Sequence, residues 1–123
     1  MALTQKKKII TRIKGGLGNQ LFCYASARRL ALVNDAELVI DDVSGFAYDK
    51  KYKRSYALDA FNIKARKATP SERFFPFEKV RRAIIQRISK YSPLAKRRYI
   101  LQDSVEFDSE LVELRLQSEE TYY

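Results

Sequence analysis

The sequence predicts an α/β fold with a parallel sheet, because a strand, a glycine-rich turn, a helix and a second strand follow one another. Ile9–Ile13 is rich in β-branched residues and lies between lysines and glycines, as a short strand does. Gln20–Val33 repeats apolar residues at helical spacing, and Glu37–Asp42 (ELVIDD) has the apolar run of a strand covered on both faces. A unit of this kind is nearly always right-handed. Its first loop lies at the carboxyl edge of the sheet, where α/β proteins bind ligands.

A long loop is predicted after the second strand. Gly45–Asn62 is aromatic and basic and shows no regular period. Ordinary connections are about half as long, so we expect a functional loop or an excursion over the sheet edge. The following Thr69-Pro70-Ser71-Glu72 has the form of a capping box that opens a helical turn.

An amphipathic helix is predicted from Phe77 to Tyr91, with Ser92-Pro93 as its end. Its apolar residues fall at helical spacing: Phe77, Val80, Ile84, Ile85, Ile88 and Tyr91. Beyond this helix, Tyr99–Gln102 is a predicted third strand, and Glu110–Leu116 is a short element of undetermined type.

Length and composition indicate a single globular unit over residues 1–123. The 123 residues suffice for one hydrophobic core and are too few for two ordinary domains, so a second domain would lie outside this chain. No apolar run approaches the roughly 18 residues of a membrane span, and the N-terminus lacks the apolar stretch of a secretory signal. We therefore expect a cytoplasmic protein, and leave open a peripheral location at the inner face of the membrane.

The residue types exclude several kinds of catalytic site. The chain contains no histidine, which removes Ser/His/Asp and Cys/His nucleophile systems and every histidine-based zinc site. The single cysteine, Cys23, lies inside an apolar helical pattern, so we expect a small buried hydrophobe and not a reactive thiol. No metal site is predicted.

The net charge of +9 is unevenly distributed. Between Phe77 and Arg98 one acid, Glu78, accompanies eight basic residues: Lys79, Arg81, Arg82, Arg87, Lys90, Lys96, Arg97 and Arg98. The segment 103–123 contains seven acids and one basic residue, Arg115. This polarity indicates a partner surface on the basic side, or an acidic C-terminal segment that contacts something basic.

The glycine-rich turn is the candidate binding site. Its residues, called the glycine loop below, are Gly15, Gly16, Leu17, Gly18, Asn19 and Gln20. Glycine allows positive φ and close backbone approach, and a helix N-terminus presents unpaired N–H groups and partial positive charge, so phosphate is the matching ligand. Asn19 is the predicted N-cap. The alternative is a tight strand-to-helix turn that needs glycine for geometry alone.

A dinucleotide-binding fingerprint is a second interpretation of the same turn. Gly16 and Gly18 match its first two glycines, and Asp41 follows at the end of the second strand. The third glycine, which lets helix and strand pack closely, is replaced by Leu21. The pattern therefore argues against a nicotinamide or flavin cofactor.

The residues around the turn resemble a known family. The run I-x-R-I-K-G-G-L-G-N-Q-L-F-x-Y-A, Ile10–Ala25, resembles the N-terminal motif of the bacterial α-1,2-fucosyltransferases, glycosyltransferase family eleven. The helix continues as ARRLAL, Ala36–Asp41 reads AELVID, and Tyr56–Ile63 is similar to the family's Y-x-L-x-x-F-N-I. The resemblance is weaker over residues 69–123. Cys23 stands where the family usually has glutamine.

This resemblance implies a metal-independent enzyme of the GT-B type, with two Rossmann-like domains facing each other across a cleft. Its activity would be the inverting transfer of fucose from GDP-fucose to the 2-hydroxyl of a galactoside-containing glycan. The family's nucleotide-sugar motif, His-x-Arg-Arg-Gly-Asp, cannot be present because the chain has no histidine. We therefore expect the N-terminal, largely acceptor-side Rossmann-like domain, truncated before the donor-binding C-terminal domain. By itself it should be inactive.

The resemblance also implies roles for individual residues. Backbone N–H groups of Gly16, Gly18 and Asn19 would stabilise the charge on the departing diphosphate. A general base for the acceptor hydroxyl would be a carboxylate near the cleft, and Asp41 is the best-placed acid. Its strand-end position equally suits a carboxylate that caps the next loop. Asn19 and Asp41 are thus the candidate catalytic residues.

For the predicted helix Phe77–Tyr91 the sequence leaves two possible packing partners. Its apolar stripe is expected to pack against the domain's own core, with an anionic membrane surface as the alternative partner. No nucleic-acid recognition motif is found, so nucleic acid is not an expected partner. The alternative to a fucosyltransferase is a self-contained α/β module that binds a nucleotide or glycan without catalysis.

Overall fold

The sheet is a four-stranded parallel one with α-helices packed on it. The computed structural model describes residues 7–47, 50–63, 65–91, 93, 99 and 120–123. The elements are β1 (Lys8–Arg12), α1 (Leu17–Val33), β2 (Glu37–Asp41), β3 (Arg66–Lys67), α2 (Glu78–Lys90) and β4 (Glu120–Tyr122), with 3₁₀ turns at Leu58–Ala60 and Ser71–Arg73. The strand order is β3-β2-β1-β4, with every pairing parallel. The predicted α/β fold is confirmed as a Rossmann-like arrangement.

The two central strands form as predicted, within one residue at each end. Ile9 pairs with Leu38 and Ile10 with Val39, so that both strands are buried along their middle. Consecutive residues point to opposite faces of the sheet. One face buries Ile9, Ala27, Leu30, Ala31 and Leu38, and the other buries Ile10, Val39, Phe74, Tyr99 and Tyr122. The lack of alternation in ELVID therefore reflects burial on two sides.

The strand order places the glycine loop at a topological switch point. The chain passes from β1 to β2 on one side, whereas β4 lies on the other side of β1. The backbone of Tyr123 continues this pairing, donating to Ile10 O at 2.8 Å and accepting from Arg12 N at 3.0 Å. In open α/β sheets ligands bind in the crevice at such a point, outside the carboxyl ends of the strands.

Two of the four strands in the described part of the chain were not predicted. β3 is only two residues long. β4 lies near the end of the acidic segment 103–123, for which no strand was predicted. Residues 103–119 and the predicted element Glu110–Leu116 lie outside the described part of the chain. Of the predicted strand Tyr99–Gln102, only Tyr99 is described, and it forms an isolated parallel bridge with Tyr122.

Helix α1 begins three residues earlier than predicted, at Leu17. Its N-cap is Gly16, in an extended conformation with φ −77° and ψ 178°, and no side chain caps the helix. The prediction that Asn19 is the N-cap is wrong. Because the backbone turns at Gly15, where φ is +82°, the helix can start directly after the glycine pair. Asn34 at the other end is the C-cap, as expected for the end of this helix.

The predicted capping box is confirmed. Thr69 N donates to Glu72 Oε1 at 2.9 Å, and Glu72 N donates to Thr69 Oγ1 at 3.3 Å, around the 3₁₀ turn Ser71–Arg73. The buried Glu72 carboxylate also pairs with Arg66 and Lys8, each at 2.7 Å. These hydrogen bonds, chiefly those from Arg66, hold the pKa of Glu72 well below its usual value. The box therefore also ties the sheet to the turn at the amino ends of β1 and β3.

Helix α2 has the predicted bounds within one residue, but of its predicted apolar stripe only Ile85 faces the core, and the other five residues are exposed. Ile85 packs against the buried cluster of the sheet, and Ser89, on the same side, accepts a hydrogen bond from Tyr99 N at 3.1 Å. Arg82 places its guanidinium 5.0 Å from the ring centroid of Phe74. These contacts fix the helix rotation. The expectation of a core-packing stripe therefore holds for Ile85 and is wrong for the rest of the stripe. Among the described residues, no helix has both the length and the apolar character needed to cross a membrane.

Candidate functional site

Two glycines of the glycine loop differ in why they are glycine. The backbone conformation requires glycine at position 15, whereas no contact within the protein requires it at position 18. Gly15 has φ +82°, and a Cβ there would meet Asn19 Nδ2 at 2.9 Å. Gly18 lies in the first turn of α1, and a Cβ there would meet no atom within 4 Å. Sterics within the chain therefore explain Gly15 and leave Gly18 unexplained. Open space beside backbone is what a closely approaching ligand needs.

The first turn of α1 presents unpaired N–H groups to solvent. Gln20 N donates to Gly16 O at 2.9 Å, as the helix repeat requires. Within the described ranges, no acceptor lies within hydrogen-bond distance of the backbone N–H of Leu17, Gly18 or Asn19, and all three residues are exposed. Such N–H groups carry the positive end of the helix dipole. The turn can therefore accept an anion without prior rearrangement.

Gln20 is the residue that holds this turn in place. Its side chain is 1% exposed, and Nε2 donates to Gly15 O and to Ser55 O, each at 3.0 Å. Its Oε1 accepts from Ala57 N at 2.9 Å. The carboxamide is thus used by the protein itself, on both sides of the loop. Gln20 was predicted to belong to the binding loop, and in the structure it supports that loop.

A basic and aromatic segment lies beside the loop because Gln20 anchors it there. The Arg54 guanidinium carbon would lie 3.6 Å from a Cβ on Gly16, so this cation covers the second glycine. Arg54 is also 4.4 Å from the ring centroid of Tyr52, and Lys51 is 5.1 Å from it. Cationic side chains next to exposed helix N–H groups strengthen an anion site. Residues 54–57 of the predicted long loop Gly45–Asn62 are thereby brought to the carboxyl edge of the sheet.

Asp41 is occupied as a loop cap. It is 2% exposed, and its Oδ1 accepts from Val43 N at 3.1 Å and Ser44 N at 2.9 Å. Its Oδ2 accepts from the Ser44 hydroxyl and lies 3.5 Å from Arg82 Nη2. Its strand-end position had suggested this loop-capping role as the alternative to that of a general base. A buried carboxylate with these partners is not presented to an acceptor hydroxyl.

Two arginines at the same sheet edge, Arg12 and Arg82, were not predicted as site residues. Arg12 Nη2 donates to Ser44 O at 2.8 Å, and Arg82 Nη2 donates to Ser44 Oγ at 3.0 Å. The Nε atoms of both arginines are buried and have no partner among the described residues. Arg12 could have been recognised, because it ends the strand that precedes the glycine loop. Arg82, 70 residues later in the chain, gave no such signal.

The predicted site residues divide into two groups. The glycine loop is continuous, with the Asn19 side chain lying over Gly15, whereas Asp41 belongs to the separate cluster with Ser44 and Arg82. A cleft of about 310 Å³ lies elsewhere, beside Arg28 and the amino end of β2. Among the described residues, no group of three or more acidic or thiol side chains could hold a metal ion.

Compared with models of protein families, with curated proteins and with solved structures, the chain gives no significant match. Any inference about function therefore begins from the geometry of the glycine loop. It offers unpaired backbone donors, open space at Gly18, and the cation of Arg54 at one edge of a parallel sheet.

Proposed function

We propose that this chain is the N-terminal, acceptor-side part of an α-1,2-fucosyltransferase, and that its glycine loop contacts the diphosphate of GDP-fucose. The reaction is the inverting transfer of fucose to the 2-hydroxyl of a galactoside, without a metal ion. The observation that carries the proposal is the first turn of α1, where Leu17, Gly18 and Asn19 present unpaired N–H groups. The sequence similarity of Ile10–Ala25 to the family motif supports the same interpretation.

The chemistry of glycosyl transfer explains why such a turn is useful. As the bond from fucose to the diphosphate breaks, the sugar becomes oxocarbenium-like and negative charge grows on the leaving group. Fixed N–H donors at a helix start stabilise that charge without reorganisation, and they act most strongly in a closed cleft. The Gln20 carboxamide keeps those donors in position by binding Gly15 O and Ser55 O.

The loop supplies only part of the donor site. The GDP moiety would be held mainly by a C-terminal domain, across the cleft. In that arrangement Gly18 allows the diphosphate to approach the backbone, and Arg54 lies at the margin of the same turn. No general base is assigned, because Asp41 is buried and caps the 43–46 turn.

Binding of small anions to the isolated chain tests the loop. Titration of ¹⁵N-labelled protein with inorganic pyrophosphate and with GDP should shift the amide signals of Leu17, Gly18 and Asn19 at millimolar concentration. Gly18→Ala should remove most of this response, because its methyl group fills the open space. Ala25→Val adds bulk on the same exposed side of α1, about two turns further on, and should leave the response unchanged.

Three results would contradict this assignment. The first is an absence of shifts in the loop at tens of millimolar pyrophosphate, and the second is a response confined to the cleft beside Arg28. The third is micromolar affinity of the chain for GDP-fucose in calorimetry, since a loop without its second domain should bind weakly. Such affinity without transfer would favour the self-contained binding module.

Activity can be tested in a longer protein that carries this chain together with a donor-binding domain. Asn19→Ala should lower kcat by about tenfold and weaken acceptor binding much less, because the Asn19 side chain lies over Gly15 in the turn that meets the leaving group. Ser26→Ala serves as the control, because Ser26 lies about two helical turns further along the same side of α1. Unchanged turnover in Asn19→Ala would remove the leaving-group role from the proposal.

A further inference from the structure

An apolar stripe on α2 faces solvent along the whole helix. Its residues are Phe77, Val80, Ile84, Ile88 and Tyr91, with exposed fractions between 53% and 84%. The spacing of three and four residues keeps these side chains on one side of the helix. Phe75, just before the helix, is 57% exposed and extends the apolar surface. A run of large exposed apolar residues on a single helix marks an interaction surface.

The stripe is not needed for the domain's own described core. The opposite side of α2 makes the contacts with the sheet, through Ile85, Ser89 and Arg82. Ile84 lies next to Ile85 in sequence and is 53% exposed. The helix therefore has two faces with separate tasks, one toward the sheet and one toward solvent.

Basic residues flank the stripe. At about 100° per residue, Arg81 falls on one side of the stripe and Arg87 on the other. Lys79 and Lys90 are also exposed, while Glu78, the acid of this helix, is half-buried. The chain as a whole carries a net charge of +9. An apolar stripe bordered by cations is complementary to an anionic surface with an apolar interior.

We propose that the solvent-facing side of α2 docks on an anionic lipid surface. The apolar side chains would enter the boundary between headgroups and acyl chains, and Arg81 and Arg87 would contact lipid phosphates. A second copy of the chain is a poorer partner for this face, because a two-fold contact would bring the same cations together. The inference does not depend on the proposed transfer reaction, since it involves neither the glycine loop nor Arg54.

Vesicle flotation with the full chain tests the docking. The protein should float with vesicles that contain phosphatidylglycerol and stay behind with phosphatidylcholine alone. Binding should weaken as salt is raised, because the Debye length falls. Two double variants address the two parts of the surface: Ile84→Ser with Ile88→Ser removes apolar area, and Arg81→Gln with Arg87→Gln removes the charges that border it. Each should lower the partition coefficient by roughly tenfold or more.

Matched controls lie on α1, where Leu32 is 63% exposed and Arg28 and Arg29 are exposed. Leu32→Ser, and Arg28→Gln with Arg29→Gln, should float as the unchanged protein does. All variants should keep the melting temperature within about 2 °C, since they alter exposed positions.

Several outcomes would overturn the proposal. These are equal flotation with both lipids, no flotation at low salt, or full flotation of the two α2 double variants. A dimer that Ile84→Ser with Ile88→Ser converts to monomer would make the stripe a contact between copies. A drop of many degrees in the melting temperature of that variant would mean that the chain itself covers the stripe.

Discussion

The Gln20 side chain donates a hydrogen bond to the backbone carbonyl of Ser55, 3.0 Å away and 35 residues later in the chain. The same nitrogen donates to Gly15 O, and Oε1 accepts from Ala57 N. One buried carboxamide thus joins the turn after β1 to the basic segment that follows β2. The position of Arg54 over Gly16 is a consequence of this connection.

Replacing Gln20 by glutamate should destabilise the fold while preserving the side-chain size. The carboxylate cannot donate to Gly15 O and Ser55 O, and it would be buried opposite two carbonyl oxygens. We expect a loss of about 3 kcal/mol in the free energy of unfolding, measured by urea denaturation. Asn19→Asp is the control, since an exposed acid in the first turn of a helix is neutral or slightly stabilising. Equal stability of both variants would show that the three hydrogen bonds contribute little.

Alanine at two different glycines should have opposite effects on stability. Gly18→Ala meets no atom within 4 Å and should stabilise the unliganded protein by about 0.5 kcal/mol through helix propensity. Gly45→Ala would place a Cβ 2.1 Å from Ile13 O, and should cost about 3 kcal/mol or prevent folding. Thermal unfolding of the two variants measures both effects. A destabilised Gly18→Ala protein would mean that glycine is needed there for the fold itself.

The Glu72 carboxylate should make stability depend on pH. Hydrogen bonds from Arg66, and further ones from Lys8 and Thr69, lower its pKa in the folded state. Its contribution is therefore present above the unfolded-state value of about 4.3 and is lost as the pH falls further. Glu72→Gln should cost about 2 kcal/mol at pH 7, and this difference should shrink toward pH 3. Glu37→Gln, which removes an exposed partner of Arg66, should cost under about 1 kcal/mol. A pH-independent difference would argue against this assignment.

The Cys23 thiol should react slowly in the folded protein. It is half-buried beneath the turn, among residues that include Ile13 and Leu58, and burial raises its pKa. Alkylation by iodoacetamide at pH 8 should therefore be slower than in urea, and should accelerate as the pH rises beyond 9. Equal rates in the folded and unfolded protein would identify an accessible, reactive thiol.

Local patterns were sufficient where the contacts are local. The capping box at Thr69–Glu72 and the bounds of α2 follow from short-range hydrogen bonding and helical spacing. The start of α1 was misplaced because Asn19 is a good capping residue, whereas the backbone at Gly15 and Gly16 already completes the turn. β3 was missed because two residues carry no periodicity.

The amino-acid sequence was enough to predict the two central strands, the helix between them and the glycine loop at the sheet edge, and its lack of histidine excludes histidine chemistry. Three features became visible only in the folded chain: the side of α2 that meets the sheet, the burial of Asp41 beside Ser44 and Arg82, and the role of Gln20 in supporting the glycine loop. The reason is the separation along the sequence between the residues that make contact. Strand burial and helix periodicity are encoded over a few neighbouring residues, whereas each of these three features also needs a contact between distant parts of the chain. Arg82 meets Ser44, 38 positions away, and Gln20 meets Ser55, 35 positions away. No local pattern records such a pairing.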